Sequence, residues 1–255
     1  MSLPSKPASN SASKSAANGS ATKSTPTSTP HLSPNLTKVC HRIDQQTRQS
    51  SRAPNSVTLL AVSKKHPTDA ISQLYNLGQR DFGENYLQEA LAKIDAIEHT
   101  DIVWHFIGPI QSNKTRAIAE NFNWVHTVDR LKVAQRLSDQ RPNNSPNLNV
   151  CIQVNIDQQA SKSGAHPKDV AALVSAVSAL PHLNLRGLMI IPNPETNTDG
   201  SAFSEAKSLF DQINKNNPPP HWDTLSMGMS ADLEQAIAHG SNIVRIGTDI
   251  FGPRT

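Results

Sequence analysis

Short apolar runs recur along this chain, and between them apolar positions return every three or four residues. The runs near 57–64, 81–83, 103–110, 124–128, 150–156, 185–191, 224–227 and 243–246 predict about eight strands. The intervening segments predict helices at 84–97, 113–121, 131–138, 168–180, 203–214 and 232–239. The first helix of the alternation shows the signals most fully. Pro67 suits its first position, Ile71, Leu74 and Tyr75 form a stripe at helical spacing, and Gly78 suits the cap past its C-terminus. Strict alternation of strand and helix means parallel strands with helical crossovers. We therefore expect a single (β/α)8 barrel of the TIM type. An earlier helical segment at 36–49 is expected to pack outside it, where a final helix would otherwise lie. A doubly wound open sheet is the alternative, and the lack of a GxGxxG fingerprint after the first strand counts against it.

Composition divides the chain before the barrel begins. Residues 1–34 are dominated by Ser, Ala, Thr, Pro, Asn and Lys with little that could enter a core, and no acidic residue precedes Asp44. Such a segment reads as a disordered tail, leaving 35–255 as the barrel domain. It is acid-poor and Ser-rich like an organelle transit peptide but lacks that class's arginines and amphipathic period. Across all 255 residues, 24 Lys and Arg stand against 21 Asp and Glu, a net charge of +3. That balance is too even and too dispersed for a nucleic-acid or membrane surface. Two cysteines, Cys40 and Cys151, without CxxC spacing, indicate neither a disulfide framework nor a zinc site. No apolar run nears the roughly 20 residues that span a bilayer. A cytoplasmic protein handling a small molecule is the expectation.

The chemistry concentrates at the predicted strand ends. In Leu60-Ala61-Val62-Ser63-Lys64, side-chain alternation puts Leu60, Val62 and Lys64 on one face and Ala61, Ser63 and Lys65 on the other. Lys64 thus follows the buried row into the barrel mouth. An amine in apolar surroundings is pushed toward its neutral, nucleophilic form, which condensation with an aldehyde to a Schiff base requires. A lysine ending a strand is more often simply solvated. What changes the balance is the other side of the barrel. The seventh strand runs into Ser226-Met227-Gly228-Met229-Ser230 and the eighth into Arg245-Ile246-Gly247-Thr248. Small residues and hydroxyls there suit a phosphate, although Ser230 alone could be a helix cap and the glycines turn residues. A buried lysine opposite an uncharged phosphate cup is the outline of a pyridoxal phosphate site.

Arg245 shares strand parity with Gly247. Facing a pyridine nitrogen, it would donate a hydrogen bond and keep that nitrogen unprotonated. Asp249 has the same parity and is a competing partner, either for Arg245 or for the ring. His105 shares a parity with Val103 and Ile107 and is a candidate wall residue, though a histidine amid apolar neighbours is commonly a satisfied core residue. Asn85 suits a ring substituent or a helix cap, Met189 the ring or the core, and Lys162 a solvated loop. The ten histidines show no HExxH or paired spacing, so no metal is expected.

Together, Leu60-Ala61-Val62-Ser63-Lys64, Phe82-Gly83-Glu84-Asn85-Tyr86, Trp104-His105-Phe106-Ile107-Gly108, Ser161-Lys162-Ser163-Gly164, Arg186-Gly187-Leu188-Met189, Leu225-Ser226-Met227-Gly228-Met229-Ser230 and Arg245-Ile246-Gly247-Thr248 resemble, in order, the pyridoxal phosphate homeostasis protein family. That family is similar in fold to the barrel domain of alanine racemase. The resemblance covers about residues 36–254 and implies pyridoxal 5'-phosphate held on Lys64. Asn85, His105, Met189, Ser226, Ser230, Arg245, Gly247 and Thr248 complete the implied cofactor-binding set. It implies a monomeric carrier or buffer in cofactor homeostasis with no established turnover, having amino acids and apo forms of pyridoxal phosphate enzymes as candidate partners. The other reading is a racemase-like enzyme. The chain stops at Thr255 without the second domain that gives alanine racemase its other acid/base residue, which favours the carrier. Two departures from the family pattern are Asp249, where a small residue is expected, and Asp157-Gln158-Gln159 before Ser161, where relatives often carry a glutamate.

Overall fold

The computed structural model describes residues 31–159, 162–216 and 218–252. In chain order the elements are α1 (Leu32–Gln49), β1 (Thr58–Val62), α2 (Thr68–Asn76), β2 (Asp81–Glu84), α3 (Leu87–Ala96), β3 (Val103–Phe106), α4 (Thr115–Asn121), β4 (Trp124–Val128), α5 (Leu131–Gln140) and β5 (Leu148–Val154). Then come α6 (Val170–Ser178), β6 (Leu183–Ile190), α7 (Ser201–Asn216), β7 (Thr224–Ser226), α8 (Leu233–Ala238), β8 (Ile243–Ile246) and α9 (Thr248–Phe251). The strands close in sequence order into a parallel eight-stranded barrel. Its seam pairs β1 with β8, Thr58 opposite Ile243 and Leu60 opposite Arg245.

Alternation within each strand sorts the side chains into two layers. Phe82, Phe106, Val125, Ile152, Leu188 and Val244 pack outward against the helices in one continuous core. Fully burying a phenylalanine such as Phe82 or Phe106 contributes roughly 2–3 kcal/mol. The inward layer mixes apolar residues such as Leu60 and Met189 with buried polar ones, His105, His126, Ser226 and Arg245. Strand spacing at β6–β7 depends on Gly187. Its φ is +156°, and a Cβ there would lie 1.8 Å from the Thr224 carbonyl oxygen, so no other residue fits without moving a strand.

Most elements lie within a few residues of the sequence expectation, and three of the differences have clear physical reasons. α1 starts at Leu32 rather than 36, because Leu32, Leu36, Val39 and Ile43 form one buried stripe and Pro34 is tolerated in a first turn. Most of the 1–34 tail therefore lies outside the described residues, but its last residues are helical. β3 stops at Phe106 instead of reaching 110, since Gly108 passes against the Asn85 carbonyl and Pro109 has no N–H to give a ladder. After β8 the chain turns into the short α9, which periodicity could not reveal in four residues. α1 packs against α2, α8 and α9, and so covers the flank that a full final helix would occupy.

Candidate functional site

A cavity of about 260 Å³ opens at the C-terminal ends of the strands. Lys64 reaches it from the end of β1, Asn85 from β2, Met189 from β6 and Arg245 from β8, while Ser230, Gly247 and Thr248 enter from the loops that follow β7 and β8. Seven of the nine residues expected from sequence thus meet in one space. Val62, Ile107, Ile191, Met229 and Ala231 complete its wall. Val62 and Ile107 were marked by strand parity; the other three lie in loops, where no periodicity identifies an inward side.

The chain on either side of Lys64 is tied down. Ser63 Oγ donates to Glu84 Oε1 at 2.6 Å, and Lys93 Nζ donates to the Ser63 carbonyl at 2.8 Å, to Glu84 at 2.7 Å and to Glu89 at 2.6 Å. The Lys65 amide donates to the same Glu89 carboxylate at 2.5 Å. Lys65 itself has φ +64°, a left-handed conformation that costs a non-glycine residue about 1–2 kcal/mol. The turn that sends Lys65 outward and leaves Lys64 at the cavity is therefore enforced from behind by a buried ion cluster. Burial pushes the Glu84 carboxyl upward from the ordinary carboxylate range, and Lys93 and Ser63 offset part of that.

Across the cavity, the loops bearing Ser230 and Gly247-Thr248 are joined by Arg42 of α1. Its guanidinium donates to the Ser230 carbonyl at 3.0 Å, to both Glu234 carboxylate oxygens at 2.7 and 2.9 Å, and to Asp249 at 2.5 Å. This corrects the alternative role considered for Asp249. Strand parity no longer applies past Ile246, because α9 begins at Thr248 and turns the Asp249 carboxylate outward to Arg42, away from Arg245. The first N–H groups of a helical turn have no intrahelical acceptor, so the Gly247–Thr248 segment presents donors beside the Thr248 and Ser230 hydroxyls.

Arg245 is 5% exposed. Nη1 donates to Ser226 O at 2.7 Å and Ser226 Oγ at 2.9 Å, and Nη2 to Ile190 O at 2.9 Å. All three acceptors are neutral, and burial pulls the guanidinium down to about 10, which leaves it charged at neutral pH. Ser226 and His105 do not reach the cavity wall. Ser226 sits beneath Arg245, and His105 lies deeper, bonded to His126 and Asp81. Sequence reasoning did not single out His126 or Asp81; only the inward parity of His126 in β4 could have marked it. Burial holds both histidines below the ordinary imidazole range, more strongly for His126.

A second cavity of about 280 Å³ shares Asn85, Ile107 and Ile191 with the first and carries Lys162 on its wall. Lys162 pairs with Asp157 at 2.9 Å. A cavity of about 730 Å³ lies between α6 and α7 on the barrel flank and contains none of the expected site residues. Among the described residues no group of three or more His, Cys, Asp or Glu is placed to hold a metal, and no helix is long and apolar enough to cross a membrane.

The chain is similar in sequence and fold to known proteins. Residues 35–255 match the family model described as alanine racemase, N-terminal domain. The pyridoxal phosphate homeostasis protein of Pseudomonas aeruginosa is 54% identical over 219 residues, covering 85% of this chain and 93% of that protein. The protein of the same name from Escherichia coli is 48% identical over 229 residues, covering 85% and 94%. Among solved structures, PipY of Synechococcus elongatus with PLP bound superposes with a TM-score of 0.72 at 36% identity, over 82% of this chain and all of that one. Alanine racemase of Clostridium difficile, at 13% identity and a TM-score of 0.67 over 88% of this chain and 60% of that one, shares the fold.

Proposed function

Since the chain belongs to the pyridoxal phosphate homeostasis protein family, we propose that it binds pyridoxal 5'-phosphate covalently through Lys64 and serves as an intracellular carrier or buffer of that cofactor. When bound, the cofactor supplies an aldehyde carbon open to an amine, a phosphate dianion and a pyridine nitrogen. The cavity carries a matching donor set: one lysine on the β1 side, hydroxyls and backbone N–H groups without a basic side chain on the loops after β7 and β8, and one guanidinium on β8. Asn85 Oδ1 is buried without a partner at this wall and offers an acceptor to a ring substituent. That one cavity gathers these three functions is the observation that carries the reading.

Each residue then has a defined task. Lys64 presents its amine, aimed by the Ser63–Glu84–Lys93 cluster. Ser230, Gly247 and Thr248 hold the phosphate, Met189 and Ile107 supply apolar faces for the ring and exclude water, and Arg245 donates toward the ring nitrogen. A guanidinium keeps that nitrogen from accepting a proton, so the site is built for holding the cofactor more than for stabilising a carbanion. Two-sided proton exchange needs acid/base groups on opposite faces. Tyr86 is 49% exposed and His105 lies beneath the cavity, so neither lines it opposite Lys64. Apo forms of pyridoxal phosphate enzymes are the proposed recipients, amino acids the proposed amine ligands, and a cytoplasmic monomer the proposed working form.

Borohydride reduction of the protein loaded with pyridoxal phosphate, followed by peptide mapping, tests the anchor: the label is expected on Lys64. A label mainly on Lys65 or Lys162 overturns it. Release is tested by mixing the loaded protein with an apo enzyme. Racemisation of L- or D-alanine that depends on Lys64, at about 1 per second or faster, would replace the carrier reading with the enzymatic one.

A further inference from the structure

Beneath the cavity, five polar side chains form a line across the barrel interior. Arg245 Nη1 lies 2.9 Å from Ser226 Oγ, which lies 2.9 Å from His126 Nδ1. His126 Nε2 lies 2.9 Å from His105 Nδ1, and His105 Nε2 lies 3.0 Å from Asp81 Oδ1. Ser226 and His126 are fully buried and His105 is 1% exposed. The Asp81 side chain, at the start of β2 and so at the opposite mouth of the barrel, is 28% exposed.

Chemistry fixes the direction of every link. A guanidinium only donates, so Ser226 Oγ accepts from Arg245 and keeps its single hydrogen available for His126 Nδ1. A neutral His126 then carries its proton on Nε2 and donates to His105 Nδ1, and His105 donates from Nε2 to the Asp81 carboxylate, which only accepts. The Asp81 end sets this assignment, since the carboxylate takes the His105 Nε2 proton and Ser226 Oγ alone could accept from both Arg245 and His126. Each neutral imidazole uses one N–H and one lone pair within the line. Trp124 stacks on His105 at 5.4 Å with planes 8° apart, which fixes the ring that transmits the order.

We propose that Asp81, His105, His126 and Ser226 are positioning residues that act as one directed hydrogen-bond chain, holding Arg245 in its orientation toward the cofactor cavity from the far mouth of the barrel. The proposal deepens the pyridoxal phosphate reading and rests on it for its consequence at the ring nitrogen. The chain has two stable senses, and the carboxylate selects one. Without Asp81, His105 can move its proton to Nδ1 and His126 to Nδ1 in turn. Ser226 Oγ would then accept from both His126 and Arg245, its hydrogen would have to turn elsewhere, and Arg245 would lose the geometry it now has.

The test has one arm without cofactor and one with it. Nitrogen-15 spectra of histidine-labelled protein, free of cofactor, are expected to show neutral Nε2–H tautomers for both His105 and His126, and Asp81→Ala is expected to change the tautomer of at least one. An Nδ1–H tautomer at either position in the unsubstituted protein overturns the directed chain. In the loaded protein, Asp81→Ala and His126→Asn are expected to keep one cofactor per chain while moving the visible absorption band in the same sense as Arg245→Lys. Asp81→Glu is expected to restore the band, and Asp81→Ala to add nothing once Arg245 is already lysine. Full occupancy with an unchanged band in both Asp81→Ala and His126→Asn reduces the chain to core packing and overturns the proposal. Failure of the unsubstituted protein to take up pyridoxal phosphate, with the tautomers as expected, instead defeats the reading of the site while supporting the chain.

Discussion

Arg42 and Asp249, 207 residues apart in sequence, meet at 2.5 Å and fasten the first helix to the last one. The same guanidinium holds the Ser230 carbonyl and Glu234, so a single side chain outside the barrel sets the spacing of both loops on the side of the cavity proposed for the phosphate. Replacing it with methionine keeps the stem packed but removes every donor. Arg42→Met is expected to weaken pyridoxal phosphate binding roughly tenfold, about 1.4 kcal/mol, while leaving the Lys64 attachment site unchanged. Equilibrium titration of wild type and variant measures it, and equal affinities would separate Arg42 from the cup.

The Glu234 carboxyl is held below the ordinary range chiefly by its hydrogen bonds from Arg42. A depressed folded value stabilises the protein above the unfolded value of about 4.5 and is lost as pH falls through the lower folded one. The buried imidazoles add a second, higher window. Both have folded values below 6.5, so below that pH the unfolded chain takes up protons the native barrel refuses, and stability falls. Thermal unfolding followed from pH 8 to pH 5 is expected to show this decline, with a shallower slope in His126→Asn. A parallel slope in the variant would contradict the assignment.

Lys93 is 6% exposed and neutralises a fully buried Glu84. Lys93→Ala leaves that carboxylate without its cation and frees the Ser63 carbonyl. Removal of one partner from a buried pair typically costs about 3–5 kcal/mol. We expect a marked fall in melting temperature, and slower labelling of Lys64 by pyridoxal phosphate in whatever protein remains folded at low temperature. Lys93→Met with unchanged stability would show that Glu84 is carried neutral.

Gly187→Ala is expected to abolish soluble, folded protein, since the added methyl would overlap the Thr224 carbonyl at 1.8 Å. Circular dichroism of the purified variant and its yield report the outcome. A folded variant of ordinary stability would mean that β6 and β7 can separate without opening the barrel.

Most of the barrel was legible because parallel strands, buried on both faces, stand out as apolar runs between amphipathic helices. The site was legible where strand parity reaches the rim: Lys64, Met189 and Arg245 face the cavity as alternation requires. It failed where the strand had already ended, as at Asp249, and where an inward residue sits too deep, as with His105 and Ser226. Parity names a face of the sheet but not a depth along the barrel axis. His126 and Asp81 acquire meaning only from partners on other strands, Asp81 being 24 residues from His105 and His126 100 residues from Ser226. No local pattern encodes those distances.

The seam between β1 and β8 also has a consequence for synthesis. Lys64 leaves the ribosome well before Gly247, Thr248 and the Asp249 carboxylate that Arg42 awaits. A nascent barrel with seven strands lacks the β8 side of the cavity, and β1 offers an unpaired edge to any neighbouring chain. Closing the ring removes that edge and completes the pocket in the same event. A ligand spanning β1 and β8 would bind the sealed barrel and not its open precursor, and so would favour the closed ring.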